Sequence, residues 1–284
     1  MSSSSFAMTL RKKLKAMSWP VLFSVGTIVF LCIIAVLAPW ITPFHFDTQD
    51  VNQSYAIPSL THWFGTDALG RDLLTRLIYG CRISLSIAFL TAFTSLIIGV
   101  IYGTLSGYVG GWLDRVMMRF VDILYTLPSL IIMILVMLIF GRDLTGIFIA
   151  LTITGWLGTA RIMRAQILSW KNRPFVEAAS AIGIPHLQII WRHLLPNCVA
   201  PIIVELSYQI PTNILAEAFL GFLGIGIRPP TPSWGILAEE GWRALRIYPH
   251  LTLFPGTLIF ITMLSFNILG DDLRDRLDPF LRGK

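Results

Sequence analysis

Residues 173–196 read RPFVEAASAIGIPHLQIIWRHLLP, and this stretch decides the fold. Phe175, Ala178, Ala179 and Ile182 fall at i, i+3, i+4 and i+7, one face of a short helix. Pro174 sits where a first turn tolerates a missing N–H. Glu177 places negative charge near the positive end of that helix. Gly183 suits the left-handed residue that closes a helix, and Pro185 just beyond prevents continuation. A second stripe follows at Leu187, Ile190, Trp191 and Leu194, and Leu195-Pro196 is expected to end it. The pattern predicts helix, sharp Gly-Pro corner, helix. The first helix, about nine residues, is too short to be stable alone in water, so it must dock on something. Lys171, Arg173 and Arg192 flank it, and both neighbouring segments are long and apolar. The corner is therefore expected to project from a membrane on its positively charged side.

Composition sets the frame. Hydrophobic residues make up 55% and charged residues 13%, against roughly 25% charged in ordinary soluble domains. The chain reads as an all-α, polytopic integral membrane protein. A net charge of +6 does not imply nucleic acid, because the basic residues lie beside apolar runs rather than along one polar face. Cys32, Cys81 and Cys198 stand in separate contexts without a CxxC or a His partner at ligand spacing, so neither a disulfide framework nor a metal site is expected. No GxxxxGK[ST] occurs, the single Gly-Lys being Gly283-Lys284. The phosphate cradle of a P-loop ATPase is thus missing, and ATP, if it drives the protein, binds to another polypeptide.

Six spans are predicted. Residues 1–19 form a basic tail with Arg11, Lys12, Lys13 and Lys15, and 20–38 a first span, too long at about 18 apolar residues for a signal-peptide core. Residues 39–82 are read as an extracytoplasmic segment. In it, Asp67 or Asp72 caps a short helix whose stripe, Leu73, Leu74, Leu77 and Ile78, suits the membrane interface. Residues 83–270 make a five-helix core with the corner at 171–197, and 271–284 a solvated tail of alternating charge. The second span, Ile83 to Leu105, carries Gly99 and Gly103, followed by Gly107. That double GxxxG lets two backbones approach closely. Pro128 interrupts the third span, which ends at Phe140, and the fourth runs from Leu144 to Ala160. The fifth, from Cys198 to Ile227, contains Pro201 and Pro211, and the sixth runs from Leu251 to Leu269. Acids at membrane depth are costly and are functional candidates by default. Glu217 and, nearer the inner face, Glu205 are therefore candidates for a translocation path, with pairing inside the bundle as the plain alternative. With the N-terminus inside, every lysine and most arginines fall in inner segments, as the positive-inside rule requires.

Several motifs resemble one family. Glu177-Ala178-Ala179, Gly183 and Leu195-Pro196 resemble the EAA loop of the membrane subunits of ABC importers. His193 stands where the wider family favours Ile, and Arg192-His193-Leu194-Leu195-Pro196-Asn197 is similar to its peptide-importer branch. Phe64 to Asp72 resembles the FGTDxxGRD signature of that branch. Phe222-Leu223-Gly224-Ile225-Gly226, Pro229 to Gly235, and the GDxLRDxLDP-like ending from Gly270 to Pro279 point the same way. The resemblance is to the C-type permease of a dipeptide or oligopeptide importer. It implies a type I ABC importer permease fold in a bacterial inner membrane, both termini cytoplasmic, with Glu177, Ala178, Ala179, Gly183, Leu195 and Pro196 in a coupling helix. It also implies a second permease, two cytoplasmic ATPases that hold ATP and Mg, an extracytoplasmic binding protein, and alternating access. This chain would bind no cofactor and catalyse no reaction itself. Nickel chelates, glutathione and cationic peptides are cargoes of close relatives. More distant alternatives are a secondary transporter, a membrane scaffold or sensor, and an intramembrane enzyme. The first lacks an internal repeat here and leaves the corner without a purpose, the second predicts that a bulky residue at Gly183 leaves uptake intact, and the third has no nucleophile–base pair at helical spacing.

Overall fold

The computed structural model describes residues 18–277. The basic tail with Arg11, Lys12, Lys13 and Lys15 and the chain from Asp278 onward lie outside the described residues. Helices dominate: α1 Trp19–Ile41, α2 Leu73–Val109, α3 Gly111–Thr126, α4 Ser129–Phe140, α5 Leu144–Lys171, α6 Pro174–Ala181, α7 His186–Phe222, α8 Trp234–Arg243 and α9 His250–Leu277. Among the described residues the extended pairing is a single antiparallel bridge, Thr66 with Asp72. Helices α1, α2, α5, α7 and α9 are long and apolar enough to cross a membrane, and α3–α4 adds a sixth crossing if the bent pair is one span.

The bend has a local cause. The chain turns by 90° between α3 and α4, where Leu127 is extended (φ −76°, ψ 139°) ahead of Pro128. A proline ring crowds the preceding residue out of the helical region and supplies no N–H. Pro128 therefore breaks the third span rather than merely kinking it.

Several helices outrun their predicted ends. The first turn of α2 was expected as a separate interfacial helix. It is instead continuous with the second span, and Leu73 and Leu77 are buried in the core instead of lying on a membrane surface. Asp72 caps it, accepting from Thr75 N at 2.8 Å. With 37 residues, α2 is about 55 Å long at 1.5 Å per residue and outruns a hydrocarbon layer of about 30 Å. Helix α5 continues past Arg161 and Arg164 to Lys171, and α9 carries the predicted tail through Leu277 as helix. In both, polar residues on one side find partners inside the protein. Arg164 makes a bidentate bond to Asp114 of α3 (2.5 and 2.6 Å), and Asp271 accepts from the Tyr208 hydroxyl at 2.6 Å. Between the predicted fifth and sixth spans, Trp234–Arg243 forms the docked helix α8, capped by Ser233.

The frame is the pair α2–α5. Gly99, Gly103 and Gly107 face α5 so closely that a Cβ on Gly103 would lie 2.4 Å from the Ala160 carbonyl oxygen and 2.7 Å from Met163 Cβ. A Cβ on Gly99 would meet Thr159 Cβ at 2.6 Å. Tyr102 donates to the Met117 carbonyl at 2.9 Å and fastens α3 alongside. Around this frame α1, α7, α8 and α9 complete one apolar core that includes Leu85, Ile214, Trp234 and Phe266.

Candidate functional site

The corner is assembled from local rules. Arg173 precedes α6 in an extended conformation and Pro174 occupies its first turn. At the far end Gly183 adopts φ +81°. Gly183 N donates to the Ser180 carbonyl and Ile184 N to the Ala179 carbonyl, at 3.0 and 3.1 Å. That paired pattern is the Schellman closure, and Ile184 packs against the apolar cluster that holds Ala179. Pro185 then starts α7.

Leu195-Pro196 does not end the second helix. Ile190–Leu194 forms a π turn, in which Leu195 N reaches back to the Ile190 carbonyl, and α7 runs on to Phe222. The wider turn accommodates a proline that lacks an N–H and would crowd an α-helical turn. The Asn197 side-chain amide donates to the His193 carbonyl at 2.7 Å.

The two predicted stripes divide by direction. Val176 and Ala179 of α6, with Ile189 and Leu194 of α7, point inward and pack with Met163, Ile167 and Cys198. Phe175, Ile182, Leu187 and Trp191 point outward, Ile182 being 78% and Trp191 65% exposed. Of the expected first stripe only Ala179 is buried, and Glu177 and Ala178 are exposed with the rest. The corner is hung from the bundle by few polar links. Tyr108 at the end of α2 bonds His186 Nδ1 at 2.7 Å, and Lys171 Nζ donates to the terminal carbonyls of Gly107 and Tyr108 at 3.0 and 3.3 Å.

At the opposite end of the bundle the stretch from Phe64 to Asp72 builds an ionic clamp. Asp67 accepts from the backbone of Leu69 and Arg71 and from Arg71 Nε at 2.6 Å. Arg76, 0% exposed, binds both Asp67 and Glu240. Arg71 also reaches Glu240 at 3.2 Å, and His62 Nδ1 lies 2.9 Å from Asp72. The motif is thus not a capped surface helix but a buried node tying the 50–72 segment to α2 and α8. Sequence reading missed Glu240. Its one signal was the capped Ser233-Trp234 start, with Leu237 and Gly241 flanking it at helical spacing.

The two acids part company. Glu217 is 0% exposed, sealed between α2, α7 and α8, and accepts from Ser84 Oγ at 2.8 Å. Glu205 lines a cleft of about 600 Å³ between the α3–α4 break, α5 and α7. Their spacing of twelve residues puts them about 120° apart around α7, at about 100° per residue.

Residues 95–283 match the family of binding-protein-dependent transport system inner membrane components, and residues 19–58 match the N-terminal transmembrane domain of oligopeptide transport permease C. The chain is 45% identical to the dipeptide transport system permease protein DppC of Bacillus subtilis, covering 90% of this chain and 80% of that one. It is 46% identical to the oligopeptide transport system permease protein OppC of Haemophilus influenzae (89% and 82%), and 41% identical to the glutathione transport system permease protein GsiD of Escherichia coli O6:K15:H31 (90% and 85%). Among solved structures, a chain of the inward-facing MetNI methionine ABC transporter superposes with a TM-score of 0.58. That match has 20% identity and covers 72% of this chain and 96% of that one. A chain of an amino acid ABC transporter superposes at 0.54, with 18% identity and coverage of 72% and 93%. The helical order, the bent third span and these matches together place the chain in the binding-protein-dependent transport system inner membrane component family, with the type I ABC importer permease fold.

Proposed function

We propose that this chain is the transmembrane permease of an ATP-driven importer of di- or oligopeptides, and that its 173–196 corner is the handle by which cytoplasmic ATPases move the bundle. The observation that carries the reading is the outward apolar stripe of Phe175, Ile182, Leu187 and Trp191 on a corner whose other face is already anchored. Moving a two-state equilibrium from 1:99 to 99:1 takes about 5.5 kcal/mol of differential grip. Large apolar side chains are each worth about 1.5–3 kcal/mol when buried. A stripe of four is sufficient, provided the ATPase holds it differently in the two states.

In this reading the corner end and both termini face the cytoplasm of a bacterial inner membrane, and the ionic clamp faces outward, toward a binding protein. A second permease completes the path, two ATPases hold ATP and Mg, and hydrolysis resets the spans. The relatives' names, dipeptide, oligopeptide and glutathione permeases, support peptide cargo, with glutathione as the alternative. Purification in mild detergent is expected to bring down two ATPase chains and a sister permease. Glu177→Lys and Gly183→Asp are expected to abolish peptide uptake with the chain still inserted. Labelling that placed residues 174–195 on the outer side, or uptake driven by an ion gradient without ATP, would overturn the reading.

A further inference from the structure

The cleft that Glu205 lines has a largely apolar wall, with Leu127, Ile132, Met133 and Leu157, and Glu205 is its one charged side chain among the described residues. Gln209, one turn beyond Glu205 on α7, donates through Nε2 to the Gly155 carbonyl at 2.9 Å. That bond fixes the amide, and its Oε1 is left buried without a partner on a side chain only 7% exposed. Glu205 has no hydrogen-bond or ion-pair partner among the described residues. Its carboxylate looks across at Gly158, where an added Cβ would lie 3.7 Å from Oε1. Two of the threonine hydroxyl protons are already used. Thr212 donates to the Tyr208 carbonyl at 2.8 Å and Thr154 to the Ala150 carbonyl at 3.3 Å, so each presents lone pairs to the cleft. No arginine, lysine or histidine lines it.

An unpaired carboxylate that faces an open volume within a span, one turn from a sealed amide oxygen that also lacks a partner, is a costly arrangement unless something with donors arrives. The complement is a small cation that brings several N–H donors. A primary ammonium has three donors and no acceptor. We infer that Glu205 forms a transit subsite for the ammonium group of the cargo, the free N-terminus of a peptide or a lysine-type side chain. The subsite rests on the importer reading for its cargo but not for its chemistry. Glycine at 155 and 158 keeps the opposite wall low. At Gly155 a Cβ would crowd Gln209 Nε2 at 3.0 Å and Ser95 Oγ at 2.7 Å. Glu217, sealed behind Ser84, takes no part.

The test has two arms. In proteoliposomes containing the whole complex, Glu205→Gln is expected to slow trialanine uptake at least tenfold, the loss of one charge-assisted hydrogen bond, and Glu205→Asp to restore part of it. In the detergent-purified complex, Thr212→Cys places a thiol at an exposed cleft position, and maleimide labelling is followed against the background of the native cysteines. Trialanine and ethylammonium are expected to slow that labelling, N-acetyl-trialanine not to, and Glu205→Gln to remove the protection. Protection by Nα-acetyllysine amide as well assigns the subsite to any primary ammonium; protection by trialanine but not by that amide assigns it to the peptide N-terminus. Equal protection by N-acetyl-trialanine, or protection undiminished in Glu205→Gln, overturns the inference. If the unmutated complex imports no peptide, the cargo reading fails, while ethylammonium protection still decides the subsite.

Discussion

The two ends of this bundle are held in opposite ways. At the clamp end Asp67, Arg71, Arg76 and Glu240 are locked into one another across 164 and 169 residues of sequence, with Arg76 wholly buried. At the corner end the chain is folded by its own local turns, attached by a small apolar cluster, a tyrosine–histidine bond and the Lys171 bonds to the end of α2, and its largest apolar side chains face outward. A buried ion network resists rearrangement, because moving one partner strands the other in a low dielectric. A locally closed helix hairpin can shift as a unit without breaking its internal bonds. In the proposed reading, one end stays fixed and the other is the end that is gripped.

The contrast is broken most violently at the clamp. Arg76→Met leaves Asp67 with one fewer partner and Glu240 facing an apolar chain, and removing one member of a buried pair costs about 3–5 kcal/mol. The expected result is a large fall in the amount of folded, membrane-inserted protein, measured by thermal unfolding in detergent. Substitutions of Trp191 at the corner should leave that unfolding temperature unchanged. Equal damage from Arg76→Met and Trp191→Ser would erase the distinction between the two ends.

The frame between the ends comes next. Gly103→Leu forces a side chain into the Ala160 backbone and Met163, where even a Cβ would be 2.4 and 2.7 Å away. Overpacking of this sort costs about 1–3 kcal/mol. Gly107, whose added Cβ would sit 3.0 Å from the Arg164 carbonyl oxygen, should tolerate Ala with a smaller loss. A graded series in the melting of Gly103→Ala, Gly103→Leu and Gly107→Ala tests whether α2 and α5 form the rigid member to which both ends attach.

What the sequence made legible follows from range. Turn chemistry is local, so the Gly183–Pro185 corner, the break at Pro128 and the Asp72 cap could all be read from neighbouring residues. The glycine ladder at 99, 103 and 107 was equally plain. Helix ends were misjudged where polar residues lie inside helices because distant partners satisfy them. Arg164 reads as the end of a span until Asp114 is beside it. The clamp was invisible for the same reason, since neither Arg76 nor Glu240 announces the other. Hydropathy likewise ranks Glu205 and Glu217 alike, and only the turn of α7 separates an acid sealed behind Ser84 from one facing a cleft. The outward direction of the corner stripe escaped too, because periodicity identifies a face but not what it faces.

At the corner itself the expected effect on stability is modest and the effect on coupling large, which sharpens the comparison. Gly183 holds φ +81° with nothing within 4 Å of an added Cβ. Alanine there pays only backbone strain, about 1–2 kcal/mol, and that strain is confined to the hairpin. Ile182→Asn removes apolar surface that touches little of this chain, so melting should not move while peptide uptake falls. A drop in uptake that tracked a drop in melting would mean the stripe serves the fold rather than a partner.

The smallest effect is expected where the corner end carries its most exposed ion pair. Arg161 Nη2 lies 2.6 Å from Asp122, with its guanidinium 4.1 Å over the Tyr125 ring. Both charged side chains are substantially solvated, and exposed pairs are worth about 0–1 kcal/mol. The nearby Asp114–Arg164 pair differs in every respect that matters. It is bidentate, Asp114 is buried, and Ser106 donates to the same carboxylate. Arg161→Gln should therefore leave melting within error and lose what little it contributes at high salt, whereas Arg164→Gln should loosen α3 from α5 measurably. If the two substitutions cost the same, burial at this end does not set the strength of its ion pairs, and the softness assigned to the corner end would have to come from the 173–196 hairpin alone.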